Sequence, residues 1–460
     1  MADRSARTRR SRGISADGNA AIRALGWKPR AGQAEATTEL IKALYSNARV
    51  IAFTAPTGSG KSGMALAAVR WVNGKAVIAT PTKQLQLQYS DTFGLPVLFG
   101  RSEYECPLSP TGTAALAPCI AGQQCLFRGA GKCPYLAARD KLRGKPIIVI
   151  NHPLLVIARL MQDDVLTRPI TVIDECHRFL DAVASMMTPS EQEAAALDEC
   201  EWDPSKIKAR LKDALAGRDV QAAATLVTAL RIATCRRLAP KLFEGEFTNE
   251  TLLRSGLFGR VILVSATLPD DFTPDVMVEG PPQVPPERRP LIVLPVVSAN
   301  AENQLGIANI LVEIIRQIIT TMDSQSPVII HTGTTLLAEL IADGLSSAGF
   351  ADRIVPAWGP MRKSVASVRR KPNRQIVIGP ALTDGVDLPA AQLQIIAKIP
   401  FQPKGGVEEA ARRIVQAYGR LVRGPDTSGT TVVLDANFRL IEPYLPSYVR
   451  AAVRWETQKP

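Results

Sequence analysis

At 460 residues the chain exceeds what one hydrophobic core usually serves, which predicts more than one domain. Hydrophobic residues make up 46%, enough for sizeable cores, yet no uninterrupted apolar run reaches the roughly 18–20 residues of a membrane span. A formal charge of +12 with pI ≈ 9.5 favours a polyanionic partner, most often nucleic acid. Seven cysteines without a secretory leader argue against a disulfide scaffold and for a reducing, cytoplasmic setting.

In chain order, residues 1–29 are expected to be a basic flexible tail and lead-in, since MADRSARTRRSRGISADGN has no apolar h-region. Short β-branched runs then alternate with helical stretches. RVIAFTAP (49–56), KAVIATP (75–81), PIIVIN (146–151), ITVIDE (170–175) and RVILVSAT (260–267) form a first series of predicted strands. PVIIHTG (327–333), RQIVIGP (374–380), LQIIAKIPF (393–401) and TTVVLD (430–435) form a second. Continuous apolar strands with helices between them predict parallel sheets covered on both faces, hence an α/β fold of two lobes. The expected boundaries are 30–267 for lobe 1, 268–303 for a linker around the proline-rich PPQVPPERRPL, and 304–460 for lobe 2. Lobe 1 carries two insertions, a cysteine-rich one over 101–145 and a helical one over 178–255, and there is no internal repeat.

The chemistry starts at APTGSGKS (55–62), which follows a predicted strand and opens a predicted helix. Around Thr57, Gly58, Ser59 and Gly60, backbone N–H groups can turn toward a phosphate. Lys61 reaches the β/γ oxygens, and the Ser62 hydroxyl can ligate Mg²⁺. Ala55 stands where a strict P-loop has its first glycine. In ITVIDECH an apolar strand ends in two carboxylates: Asp174 can hold the Mg²⁺ shell and Glu175 can polarise the attacking water. In QAYGRLVR (416–423), Gln416, Arg420 and Arg423 recur at i, i+4 and i+7, which places them on one helix face where guanidinium groups can meet γ-phosphate charge. Each segment also has an ordinary structural reading, as a glycine-rich turn, a helix N-cap or a solvated basic face. P-loop and carboxylate pair together point to a nucleoside triphosphatase.

The set resembles the superfamily 2 helicases, DEAH-type, and within them the XPD/DinG-like iron–sulfur branch, over about residues 30–435 and in the family's motif order. PRAGQ (29–33) is similar to the adenine-reading Q motif, which implies contacts from Arg30 and Gln33. APTGSGKS and DECH are similar to motifs I and II, with Cys176 in the place of an alanine. ATPTKQLQLQ (79–88) resembles motif Ia, where Thr80 and the helix cap Thr82 would face a DNA phosphate. SATL (265–268) resembles motif III, and the resemblance implies that Ser265 and Thr267, with His177, couple the ATP site to nucleic acid. VIIHTG (328–333) resembles motif IV through His331 and Thr332, TDGVDLP (383–389) resembles motif V through Asp384 and Gly385, and QAYGRLVR resembles motif VI. VINHPLL (149–155) and KIPF (398–401) are similar to further segments of the branch.

Four of the seven cysteines fall at Cys106, Cys119, Cys125 and Cys133, spaced C-x12-C-x5-C-x7-C. On chemistry alone these thiols suit zinc or an iron–sulfur cluster, or remain unligated, and the spacing is unlike the close pairs of a zinc ribbon. The resemblance implies a [4Fe–4S] cluster, because the branch carries its cluster between motifs Ia and II, often ending in Cys-Pro-Tyr as at Cys133–Tyr135. It further implies two RecA-like lobes with ATP and Mg²⁺ in the cleft. Single- or forked-stranded DNA is the implied partner, moved 5′→3′ and unwound. The 178–255 segment is short for the branch's arch domain, which keeps open a translocase or RNA/hybrid remodeller without processive unwinding. A non-enzymatic nucleic-acid-binding module is the third reading.

Overall fold

The computed structural model describes residues 16–56, 58–240, 248–266, 268, 272–280, 284–322, 327–358, 374–380, 391–401, 406–419, 421 and 428–456. They divide into two compact units: residues through 280 without 55–60, and 281 onward together with 55–60.

The first unit is built on a parallel sheet of β1 (Val50–Thr54), β2 (Ala76–Thr80), β3 (Ile147–Asn151), β4 (Ile170–Asp174), β5 (Arg260–Ser265) and β6 (Val276–Glu279). Their order is β3-β2-β4-β5-β1-β6, and each neighbouring pair is parallel. Strands β1 to β5 coincide with the apolar runs of the first predicted series. Their β-branched residues are buried on both faces, as a doubly covered sheet requires. Strand β6 lies inside the stretch expected to be linker. Its VMVE buries Val278 and exposes Met277, so it has no continuous apolar run to betray it. The register sets Thr54 beside Ser265 and Asp174 beside Val264, which brings the C-terminal ends of β1, β4 and β5 to one edge.

The helical insertion contains Phe179–Met187, Glu191–Glu199, Pro204–Ala216, Val220–Leu238 and Asn249–Arg254. Side-chain caps from Ser190, Asp203 and Asp219 start three of these helices by accepting N–H groups that the first turn leaves unpaired. The cysteine-rich segment has only short helical pieces, among them the single turns Pro118–Ala121 and Leu126–Gly129 and the seven-residue helix Pro134–Asp140. The two insertions are not separate bodies. Leu116 and Ala121 of the cysteine segment share one core with Leu197, Ile207, Leu211 and Ala223 of the helical one.

The second unit holds a seven-stranded sheet of β7 (Leu291–Val297), β8 (Val328–His331), β9 (Ile354–Pro356), β10 (Ile376–Gly379), β11 (Leu393–Ile396), β12 (Thr430–Asp435) and β13 (Val453–Trp455). The order is β13-β7-β12-β11-β8-β10-β9, again all parallel. Strands β8, β10, β11 and β12 match the second predicted series. Strand β7 was hidden by its proline: Pro295 lies where the pairing with β12 shifts register, a place that tolerates a missing N–H. Strands β9 and β13 are three-residue edges. The helix Gln304–Met322 is long and apolar enough to cross a membrane by length and composition. It carries the Glu313–Arg316 ion pair and sends Ala308, Leu311, Ile315 and Ile319 into the second unit's core, which is how an amphipathic core helix behaves.

Candidate functional site

The loop after β1 is bent by Gly58 and Gly60, at φ +82° and +84°, a left-handed conformation that glycine adopts without Cβ strain. Within it the Ser59 N–H donates to the Pro56 carbonyl at 3.1 Å. Lys61 opens the helix Lys61–Trp71 and is buried, as is Ser59. Thr57 lies outside the described residues.

Across the sheet edge, Asp174 at the end of β4 is the focus. It is 2% exposed. Its Oδ2 accepts from the Ser62 hydroxyl at 2.8 Å and from the Tyr89 hydroxyl at 2.7 Å. Its Oδ1 accepts from the Glu175 N–H at 3.0 Å. Burial, and then the neighbouring Glu175 charge, raise the Asp174 pKa above the ordinary carboxylate range. Glu175 has φ 52° and ψ 51°, the left-handed region that costs a non-glycine residue energy and recurs at functional turns. Its side chain is 27% exposed, which leaves its carboxylate reachable by water.

Beyond the carboxylates, His177 Nδ1 lies 2.9 Å from Ser265 Oγ and 3.5 Å from Glu175 Oε2. Glu175, His177 and Ser265 thus form a chain from the end of β4 to the end of β5. Thr80, buried at the end of β2, donates to the Thr82 carbonyl at 3.2 Å, and Thr82 caps the helix Lys83–Phe93 by accepting from the Leu85 N–H. Gln33 is buried and its Oε1 accepts the Arg30 N–H at 2.9 Å, while the Arg30 side chain is exposed.

Two residues here were not assigned a role from sequence. Tyr89 is fully buried on the helix Lys83–Phe93, and burial followed by the Asp174 charge raises its pKa well above the phenol range. His152, in the segment after β3, is buried with Nε2 3.0 Å from the Asp174 carbonyl, and burial pushes its pKa down to about 3, so it is neutral. The spacing of Gln86 and Tyr89 on one buried helix face was the available signal for Tyr89. None existed for the backbone partner of His152.

In the second unit, the helix Gly406–Tyr418 carries half-buried Gln416. Arg420, Arg423, Thr267, Asp384 and Gly385 lie outside the described residues. His331, at the end of β8, is buried and its Nε2 lies 3.1 Å from Gln394 Oε1, which continues through Nε2 to Thr431. Buried Thr332 donates to the Thr334 carbonyl at 2.9 Å.

The four clustered cysteines are free thiols of intermediate exposure, whereas Cys176, Cys200 and Cys235 are buried. Cys106 and Cys133 rest against the first unit's core, Cys119 sits in the turn Pro118–Ala121, and Cys125 precedes Leu126–Gly129. Tyr135 of the Cys-Pro-Tyr segment is buried edge-on to Tyr104 at 5.4 Å. Among the described residues no three His, Cys, Asp or Glu side chains converge as a metal-binding group. The thiols have the donor chemistry of a cluster, and their geometry is not that of a preformed cage.

Residues 26–197 match the family model of the type III restriction enzyme res subunit. No curated protein matches the chain. Among solved structures, an XPD helicase aligns with TM-score 0.62 at 15% identity, over 94% of this chain and 100% of its own. Xpd4 from S. tokodaii aligns with TM-score 0.54 at 14% identity, over 93% and 100%. The DEAD-box helicase Mss116, solved bound to ssRNA, aligns with TM-score 0.52 at 17% identity, over 97% and 79%. The fold is therefore that of two parallel-sheet, RecA-like lobes, as in these structures. With the matched segment, it supports an ATP-hydrolysing enzyme of the helicase type.

Proposed function

We propose that this protein is an ATP-dependent DNA helicase that moves along single-stranded DNA, 5′→3′, and opens forked duplexes. The observation that carries the reading is the Ser62 hydroxyl bonded to Asp174, which joins the start of the helix Lys61–Trp71 to the carboxylate pair at the end of β4. A carboxylate and a hydroxyl oxygen are the hard donors Mg²⁺ takes, so Asp174 and Ser62 would hold the ion. The ion's chemistry is to neutralise charge on the phosphate oxygens.

The other roles follow from residue type and position. Lys61 and the backbone of Thr57, Gly58, Ser59 and Gly60 grip the phosphates, and Arg30 with Gln33 reads the base. Glu175 takes a proton from the attacking water. Gln416, Arg420 and Arg423 are assigned to the charge developing on the γ-phosphate. His177, Ser265 and Thr267 relay the state of the site, while Thr80, Thr82, His331, Thr332, Asp384 and Gly385 are assigned to the DNA backbone. The charge of +12 supports a polyanionic track, and seven free thiols suit a reducing, cytoplasmic setting.

Cys106, Cys119, Cys125 and Cys133 are proposed as ligands of a [4Fe–4S] cluster. Thiolates that a metal draws together as it binds account for a suitable donor set without a preformed cage. No step of ATP hydrolysis passes through it. Iron and acid-labile sulfide that co-purify anaerobically and are lost in Cys119→Ser support the assignment; a protein that binds only zinc refutes it.

A second reading, translocation or RNA/hybrid remodelling without processive unwinding, is favoured by the modest helical insertion, five helices between Phe179 and Arg254 among the described residues. Forked duplexes with 5′ or 3′ tails decide between them. Opening of the 5′-tailed fork alone supports the helicase reading. ATP hydrolysis stimulated by single strands with neither fork opened supports the second, and no hydrolysis at all removes both.

A further inference from the structure

Arg289 lies near the start of the second unit, just before β7, and is 4% exposed. Its Nε and Nη2 are buried, and among the described residues no acceptor reaches either. A guanidinium group carries five N–H donors, so a buried one without acceptors calls for an explanation. Two aromatic rings supply it. The guanidinium carbon of Arg289 lies 5.0 Å from the ring centroid of Tyr418 and 5.5 Å from that of Tyr448. Ring faces attract a cation, most strongly where water is excluded. A planar guanidinium can stack on such rings, which a compact ammonium group does less well.

The backbone here is engaged as closely as the side chain. The Arg288 carbonyl accepts the Gly429 N–H at 3.1 Å, and the Pro290 carbonyl accepts the Thr431 N–H at 3.0 Å. Between them the Arg289 carbonyl accepts the Tyr418 hydroxyl at 2.8 Å. Three consecutive carbonyls therefore hold the last residue of the helix Gly406–Tyr418 and the lead into β12. Burial pushes the Tyr418 phenol up to about 12, so it remains a donor at neutral pH. Tyr418 is thus fixed twice by one residue, its hydroxyl by the Arg289 carbonyl and its ring by the Arg289 guanidinium. Fixing the last residue of a helix restrains rotation and slip of its final turn, and Gln416 lies in that turn. Tyr418 and Gly429 also bound the stretch of sequence that carries Arg420 and Arg423.

We propose that Arg289 is a positioning residue for ATP hydrolysis: it clamps the end of the helix Gly406–Tyr418 so that Gln416 meets the charge developing on the γ-phosphate. It acts through Tyr418 and is not itself a catalytic group. The proposal rests on the helicase reading for what Gln416 meets, whereas the hold on Tyr418 stands apart from that reading. A residue that orders a group needed only in the transition state changes kcat and leaves KM.

The test compares wild type, Arg289→Met, Arg289→Lys and Tyr418→Phe, each shown to be folded by near-UV circular dichroism. Amide hydrogen exchange over 406–418 and 429–431 reads the clamp, and steady-state ATP hydrolysis with single-stranded DNA reads its use. Arg289→Met speeds exchange at the end of the helix about 10-fold or more and leaves β8 and β11 unchanged. Its kcat falls about 10-fold, while KM for ATP stays within about 2-fold. Arg289→Lys recovers part of both losses, since the charge remains without the plane. Tyr418→Phe keeps the ring under the guanidinium and loses one hydrogen bond, which gives the same pattern at about 3-fold. Should Arg289→Met fail to fold, Tyr418→Phe carries the comparison. Exchange equal to wild type overturns the clamp. Faster exchange with kcat unchanged, or a change confined to KM, makes Arg289 structural only and overturns the positioning role. A wild type that hydrolyses no ATP, yet shows the exchange difference, leaves the hold on Tyr418 standing and removes the helicase reading.

Discussion

Tyr89→Phe isolates one hydroxyl at the centre of the candidate site. The ring keeps its packing, and only the 2.7 Å bond to Asp174 Oδ2 is lost. Asp174 then keeps the Ser62 hydroxyl at 2.8 Å and the Glu175 N–H at 3.0 Å. If Ser62 serves as an Mg²⁺ ligand, its hydroxyl oxygen turns to the ion, and Tyr89 is left as the side-chain donor that fixes the carboxylate. A hydrogen bond to a charged group contributes about 1.5–3 kcal/mol. At about 1.4 kcal/mol per tenfold this is roughly 10- to 100-fold in Mg²⁺ affinity, the range expected when an outer-shell partner is removed. The assay is ATP hydrolysis against free Mg²⁺ at saturating nucleotide. The midpoint shifts upward by about tenfold or more, and the rate recovers at high Mg²⁺. An unchanged midpoint in a folded Tyr89→Phe protein refutes the positioning role, and a rate that no Mg²⁺ concentration restores places Tyr89 elsewhere in the chemistry.

His152 gives a pH signature. Its folded pKa, about 3, lies below the unfolded value, so its contribution to stability is present above about pH 6.5 and is lost as pH falls toward 3. The slope reaches about 1.4 kcal/mol per pH unit, read as unfolding free energy of the first unit, and His152→Gln flattens it. Leu211→Ala empties a fully buried position in the core shared by the two insertions and costs about 2–5 kcal/mol. Limited proteolysis then cuts within 101–145 as well as within the helical insertion; cleavage confined to the helices shows that the cysteine segment stands alone.

What was legible in the sequence was whatever a local pattern encodes. Nine β-branched runs mark strands because a doubly covered parallel strand must be apolar on both faces. Ser62 and Asp174 were legible because the glycine-rich turn and the strand-end carboxylates each need a fixed spacing. Strand β7 was lost behind Pro295, whose missing N–H falls at a register shift that only the paired strand reveals. Tyr89 and His152 were lost because their partners are a carboxylate and a carbonyl of Asp174, 85 and 22 residues away in the chain. The cysteines are close in sequence and lie along successive short helical pieces of one segment, so their common ligand was legible only as donor chemistry. The core joining their segment to the helical insertion depends on Leu116 and Ala121, whose partners lie about 80–110 residues further on.

The central claim is that the Ser62–Asp174–Glu175 edge hydrolyses ATP, and the direct measurement is steady-state phosphate release by wild type and Glu175→Gln, with and without single-stranded DNA. The amide keeps the size of Glu175 but cannot take a proton. Wild type is expected to turn over faster with DNA present. Glu175→Gln is expected to bind ATP and DNA as tightly while losing about 10²–10⁴-fold in rate, the usual contribution of a general base. Hydrolysis by Glu175→Gln at the wild-type rate would contradict the assignment of this edge as the catalytic centre.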